Sequence, residues 1–181
     1  IFGGSKSEKD VQRISPLITQ INEFYSSYQQ LTNDQLRGKT AEFKQRIQEH
    51  LKPIDQQIQS INDQAEALPV EDINGKDDLY KQVDDLKKKR DEEVEVVLKL
   101  ILPEAFAVVK ETASRFSSSS EIVSSATPLD RELSVKKDYI RIEGDNVIFS
   151  NSWSAAGTMV TWNMVHYDVQ LIGGTILHEG K

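Results

Sequence analysis

Apolar side chains recur in steps of three and four from Leu36 to Leu68, through Phe43, Ile47, Leu51, Ile54, Ile58, Ile61 and Ala65. The pattern resumes at Leu79, Val83, Leu86, Val94, Val97 and Ile101. That spacing lines each set along one side of an α-helix, so the chain is committed to two long amphipathic helices. Residues 69–78, with Pro69 and Asn74-Gly75, read as the turn between them. Neither stripe is stable without a facing partner, so the short connection predicts an antiparallel helical hairpin. Pro53 deletes one intrahelical hydrogen bond at a cost of about 3 kcal/mol, which predicts a kink or restart there. Arg90 stands where an apolar residue is due. Residues 51–103 hold 13 acidic against 8 basic side chains, most of the net charge of −7. The charge blocks of 84–95 read first as a solvated face and second as a surface for a basic partner.

Three further helices flank this pair. Val11, Ile14, Ile18, Ile21, Tyr25 and Tyr28 define one over residues 8–28, with Pro16 placed to bend it. Thr32 and Gln35 form a capping box with Leu31 and Leu36 as its hydrophobic staple, which starts the next helix. Pro103 suits the first turn of a helix over 103–116 that buries Ala105, Phe106, Val108, Val109 and Ala113 and ends at Ser117–Ser120. From Tyr139 the period falls to two. Ile140 and Ile142 then share a face with Val147 and Phe149 if Gly144-Asp145 makes the hairpin turn, leaving Arg141 and Glu143 on the other face. Residues 159–163 are expected to add a third strand, and residues 168–177 a short apolar helix carrying Gly173-Gly174. The fold class expected is mainly α with a small β element.

Composition removes several functions. A net charge of −7 argues against a nucleic-acid partner, which needs clustered positive charge. The chain has no cysteine, hence no disulfide, no thiolate nucleophile and no cysteine zinc site. His50, His166 and His178 are not spaced as ligand pairs, so no metal site is expected. No Gly-x-Ser-x-Gly elbow and no phosphate loop of the Gly-x-x-x-x-Gly-Lys-Ser/Thr type occur, and no catalytic residue can be named. No run approaches the roughly 20 apolar residues of a membrane-spanning helix. The start, Ile-Phe-Gly-Gly-Ser-Lys, lacks Met and a signal-peptide core, and with the abrupt end at His178-Glu-Gly-Lys it reads as a fragment.

Three blocks carry a resemblance: LTNDQLRGKTAEFKQRI (31–47), LPEAFAVVKETASRF (102–116) and HYDVQLIGGTILHEGK (166–181). In order, they resemble the beginning of the SecA family of preprotein translocase ATPases, whose usual members carry them nearly end to end. Here about 50 residues part each neighbouring pair. The resemblance implies the N-terminal part of a RecA-like α/β motor domain of the DEAD-box helicase kind. It divides the chain into N-terminal helices of the first nucleotide-binding domain (1–51), a helical-hairpin insertion (52–101), a domain helix (102–117), an insertion with a β-hairpin (118–163) and a Q-motif segment (164–181) that stops before the family's phosphate loop.

On that resemblance Gln170 matches the glutamine that reads adenine. A glutamine amide offers an acceptor and a donor side by side, matching the N6 amino group and N7 of adenine and mismatching guanine. Tyr167 would lie against the base and Met164 near it, the alternative for both being ordinary core. Trp162, at the end of the β insertion, would touch the same pocket. The resemblance further implies ATP with magnesium in the full-length protein, none held by these residues alone, and no ATPase activity without the phosphate loop and second motor domain. The implied partners are the SecYEG channel, secretory preproteins and an anionic phospholipid surface, with a homodimer allowed. The implied location is the cytoplasm and the inner face of the plasma membrane. Lys6, Lys9 and Arg13 give the first helix a modest attraction to anionic lipid, although its apolar side equally suits docking on the motor domain. Val169, Leu171, Ile172, Ile176 and Leu177 would pack on a sheet mostly missing here, so they are expected to be exposed, displaced or buried against another copy. The competing reading is a stand-alone helical-hairpin interaction module without nucleotide chemistry.

Overall fold

The capping box at Thr32 forms as the sequence suggests: the Gln35 amide donates to Thr32 Oγ1 at 3.2 Å and the Thr32 amide to Gln35 Oε1 at 2.8 Å. The computed structural model, which describes residues 6–180, has five helices and five strands among those residues. The unusual start at 1–5 and the side chains of Lys6 and Lys9 lie outside the described residues. Helix α1 spans Lys6–Tyr28, α2 spans Asn33–Ala67 and α3 spans Ile73–Ser118.

None of the three prolines ends a helix. Pro16, Pro53 and Pro103 all lie inside α1, α2 and α3 respectively, so no restart occurs at Pro53 and no separate helix begins at Pro103. Tertiary burial outweighs the missing hydrogen bond: Leu51 and Ile54 flank Pro53, and Ile101 and Ala107 flank Pro103, all buried. The Asn74-Gly75 pair likewise belongs to a helix. Asp72 Oδ1 accepts the Gly75 amide at 3.0 Å, an N-terminal cap that opens α3 at Ile73 and shortens the expected turn.

The chain divides into two compact units, Ile1–Lys39 with Pro103–Lys181, and Thr40–Leu102. In the second unit, Leu51, Ile54, Ala65, Val83, Val97 and Ile101 are buried. His50 Nε2 lies 2.8 Å from Glu93 Oε2, and Arg90 Nε donates to Asp55. Partner numbers fall along α3 as they rise along α2, so the two segments run antiparallel. Arg90 breaks the apolar stripe because it reaches an acid on the facing helix.

The first unit closes around Ile14, Ile18 and Ile21 of α1, with Leu36, Ala107 and Leu171. Tyr28 Oη donates to Glu104 at 2.9 Å, a buried pair. Arg115 holds the connection from α1 to α2, donating to the carbonyls of Tyr28 and Leu31 at 3.1 and 2.7 Å and to Asn33 Oδ1 at 2.6 Å. Three elements here were not foreseen: strand β1 (Glu121–Ser125), helix α4 (Pro128–Lys136) and strand β4 (Ser152–Ala155). A reciprocal Thr127–Asp130 box caps α4. Asp130 is buried, and burial alone would raise its pKa. The Arg37 guanidinium at 2.7 Å and the Thr127 hydroxyl and amide override that and hold it at about 2.

Strands β2 (Ile140–Glu143) and β3 (Asn146–Ser150) pair with Ile140 opposite Phe149 and Ile142 opposite Val147, the expected register, and Gly144 takes φ +60° at the turn. The third strand of this antiparallel sheet is β1, on the other edge of β3. Residues 158–161 do not join it. They form β5 (Thr158–Thr161), which pairs only with β4 (Ser152–Ala155) because Ala156 and Gly157, at φ 49° and 81°, close a tight local hairpin.

Helix α5 (Asp168–His178) corrects another expectation. Leu171 is 1% exposed, and Ile172 and Ile176 are partly buried against α1, so its inner side is covered by this same chain. Val169 and Leu177, exposed on its other side, match the expectation. The apolar side of α1 provides the cover, and Arg13 pairs with Glu179 through two 2.7 Å hydrogen bonds at the end of α5.

Candidate functional site

The site lies at the first turn of α5. Tyr167, extended at φ −78° and ψ 157°, precedes the helix, and Gln170 is its third residue. The Tyr167 amide donates to Gln170 Oε1 at 2.9 Å. That bond satisfies one of the amides left without an intrahelical partner at a helix start. It also fixes which end of the side chain is which: Oε1 turns to the backbone and keeps a second lone pair, and Nε2 is left as a donor. Gln170 is exposed and therefore presents a donor and acceptor edge to solvent.

Tyr167 is 74% exposed and Met164 is 40% exposed, so neither is core in this structure. Tyr167 adjoins the Gln170 turn directly, and Met164 sits on the non-helical strap leading into it. Trp162 is tied to that strap rather than free: its indole Nε1 donates to the Met164 carbonyl at 2.8 Å and to Ala113 O of α3 at 3.2 Å. Its ring lines an apolar cleft of about 470 Å³ together with Phe116, Tyr139, Phe149, Trp153 and His166. Gln170 is not among the residues lining that cleft.

Polar groups from two other helices converge on the same turn. Asn22 Nδ2 of α1 donates to Asp168 Oδ1 at 3.2 Å, and Lys110 Nζ of α3 donates to Asn22 Oδ1 at 2.7 Å. Lys110 Nζ is 3.6 Å from the same Asp168 oxygen and lies over the Tyr25 ring at 5.0 Å. Asp168 in the first turn also complements the positive end of the α5 dipole. Asn22 and Lys110 escaped the sequence reading because 146 and 88 positions separate the bonded pairs. The spacing of Lys110 within an apolar helix face was the one signal available. Among the described residues no group of three or more His, Cys, Asp or Glu gathers to hold a metal. The arrangement is suited to recognising a flat polar edge.

The chain belongs to the family described as SecA DEAD-like domain, which matches residues 1–181. It is 49% identical over 180 residues to the protein translocase subunit SecA of Christiangramia forsetii and 48% identical over 181 residues to that of Flavobacterium psychrophilum. It is 42% identical over 178 residues to that of Porphyromonas gingivalis. These matches cover 99%, 100% and 98% of this chain but 16% of each relative, so the chain spans a small part of their length. They run through residues 52–101 and 118–163, so both segments are shared with these relatives. No solved structure matches. Family membership sets aside the stand-alone interaction module. No helix among the described residues is long and apolar enough to cross a membrane.

Proposed function

We propose that this chain is the N-terminal part of the first nucleotide-binding domain of an ATP-driven motor that moves secretory preproteins through the SecYEG channel. Membership of the SecA DEAD-like family and the translocase names of its relatives support the reading. The proposed layout has N-terminal helices at 1–51, a helical-hairpin insertion at 52–101, a domain helix at 102–117, a second insertion with a β-hairpin at 118–163 and the Q-motif segment at 164–181. The antiparallel contacts His50–Glu93 and Asp55–Arg90 are consistent with the hairpin. ATP with magnesium is the proposed fuel of the full-length protein. Anionic phospholipid and a second protomer are its proposed further contacts, in the cytoplasm and at the inner face of the plasma membrane.

Gln170 is the adenine-reading residue in this proposal, with Tyr167 against the base and Met164 beside it. The observation that carries it is the 2.9 Å bond from the Tyr167 amide to Gln170 Oε1, which leaves one oxygen lone pair and the Nε2 donor free together. Oε1 would accept from the adenine N6 amino group while Nε2 donates to N7. The exposure of Tyr167 and Met164 leaves both accessible to a base, and the hydrogen bonds of Trp162 hold the strap that carries Met164. In the full-length protein, 7-deaza-ATP, which lacks the N7 acceptor, is expected to bind about fivefold or more weakly than ATP. Gln170→Ala is expected to bind the two equally. Equal binding by the unsubstituted protein would refute the adenine reading.

A further inference from the structure

We propose that Lys110 is a positioning residue for nucleotide recognition, acting through Asn22 and Asp168 on the Gln170 amide. The inference rests on the adenine-reading role of Gln170. Lys110 projects from α3 with its side chain only 11% exposed, and its ammonium group donates to Asn22 Oδ1 at 2.7 Å. The other end of the Asn22 amide donates to Asp168 Oδ1 at 3.2 Å. Asn22 therefore uses its acceptor toward α3 and its donor toward α5, an orientation that cannot be reversed without facing an NH₂ group toward the ammonium. The 3.6 Å approach of Lys110 Nζ to Asp168 closes the triangle.

Asp168 and Gln170 belong to the same turn, so the two sets of bonds are complementary. The capping bond from Tyr167 orients the Gln170 amide within the turn, and the Asn22–Lys110 pair fixes the turn to α1 and α3. A free glutamine must give up rotamer freedom when it binds a base, and a turn already fixed on both counts has less to give up. Lys110 touches no part of the proposed base site itself. Its loss should therefore reduce discrimination between purines.

The test measures equilibrium affinities of the full-length protein for ATP and GTP in four variants: Gln170→Ala, Lys110→Met, Lys110→Arg and Gln170→Ala/Lys110→Met. Gln170→Ala is expected to lower the ATP-to-GTP affinity ratio about fivefold or more. Lys110→Met is expected to lower that ratio about threefold or more with GTP affinity unchanged. Lys110→Arg restores it, and Lys110→Met adds nothing in the Gln170→Ala background. A ratio unchanged in Lys110→Met, or equal losses for ATP and GTP, overturns the proposal and leaves Lys110 a structural ion pair. If Gln170→Ala itself leaves the ratio intact, the adenine reading has failed, and this inference falls with it. Should Lys110→Met not fold, Asn22→Leu, which removes both the acceptor for Lys110 and the donor to Asp168, carries the same expectation for the ratio, and an unchanged ratio there overturns the proposal.

Discussion

At Asp130 a single buried carboxylate ties two helices together, because Arg37 near the start of α2 and the Thr127 cap of its own helix α4 both bond to it. Its folded pKa of about 2 lies below the ordinary 3.8. A depressed carboxylate pKa stabilises the fold above the unfolded value, by about 2 kcal/mol here, and that contribution is lost as pH falls from about 4 to 2. In urea unfolding followed by the fluorescence of Trp153 and Trp162, Asp130→Asn should be less stable at pH 6 and show a shallower loss between pH 4 and 2. An unchanged slope would remove Asp130 from the account. Ala156 carries the opposite kind of signal, a residue with a Cβ at φ 49°. Because the left-handed region costs such a residue about 1 kcal/mol, Ala156→Gly should raise the urea midpoint, and a lower one would contradict the strain. The resemblance singles out Gln170 as a candidate, but it carries no information on how the amide is turned. The Tyr167 amide that turns it is a backbone group present at any helix start, so only the structure distinguishes it.

Among the elements, α5 divides most clearly into a packed side and an open side. Leu171→Ala, in the shared core with Ile14, Ile18 and Ile21, should cost about 2–5 kcal/mol. Val169→Ala or Leu177→Ala, on the exposed side, should change stability by under about 0.5 kcal/mol. Similar losses for all three in urea unfolding would mean that α5 is not seated on α1. The existence of α1, α2, α5 and the β2–β3 register was readable because each repeats a periodic pattern over several residues. Boundaries were less so. Pro53 and Pro103 are local breakers overridden by distant burial, and Asn74-Gly75 is a turn signal used inside a helix start after Asp72. Strands β1 and β4 and helix α4 went unseen because EIVSS and SWSA carry no sustained apolar alternation, and α4 announces itself by a short cap whose acid is paired with Arg37 from another element.

For the molecule as a whole, three blocks of sequence were enough to suggest the family, and the match extends over all 181 residues. The segments between those blocks carried no resemblance of their own, yet they align with the relatives along with the rest. What the sequence alone could not supply was the joining of Asn22, Lys110 and Asp168, since three helices must assemble before they meet. The chain belongs to the SecA DEAD-like family, and the proposal places the reading of adenine at the first turn of α5. Competitive titration of the full-length protein with ATP and GTP, unsubstituted and as Gln170→Ala, tests this most directly. The account predicts a preference for ATP that Gln170→Ala lowers about fivefold or more. A preference left undiminished by the substitution would contradict it.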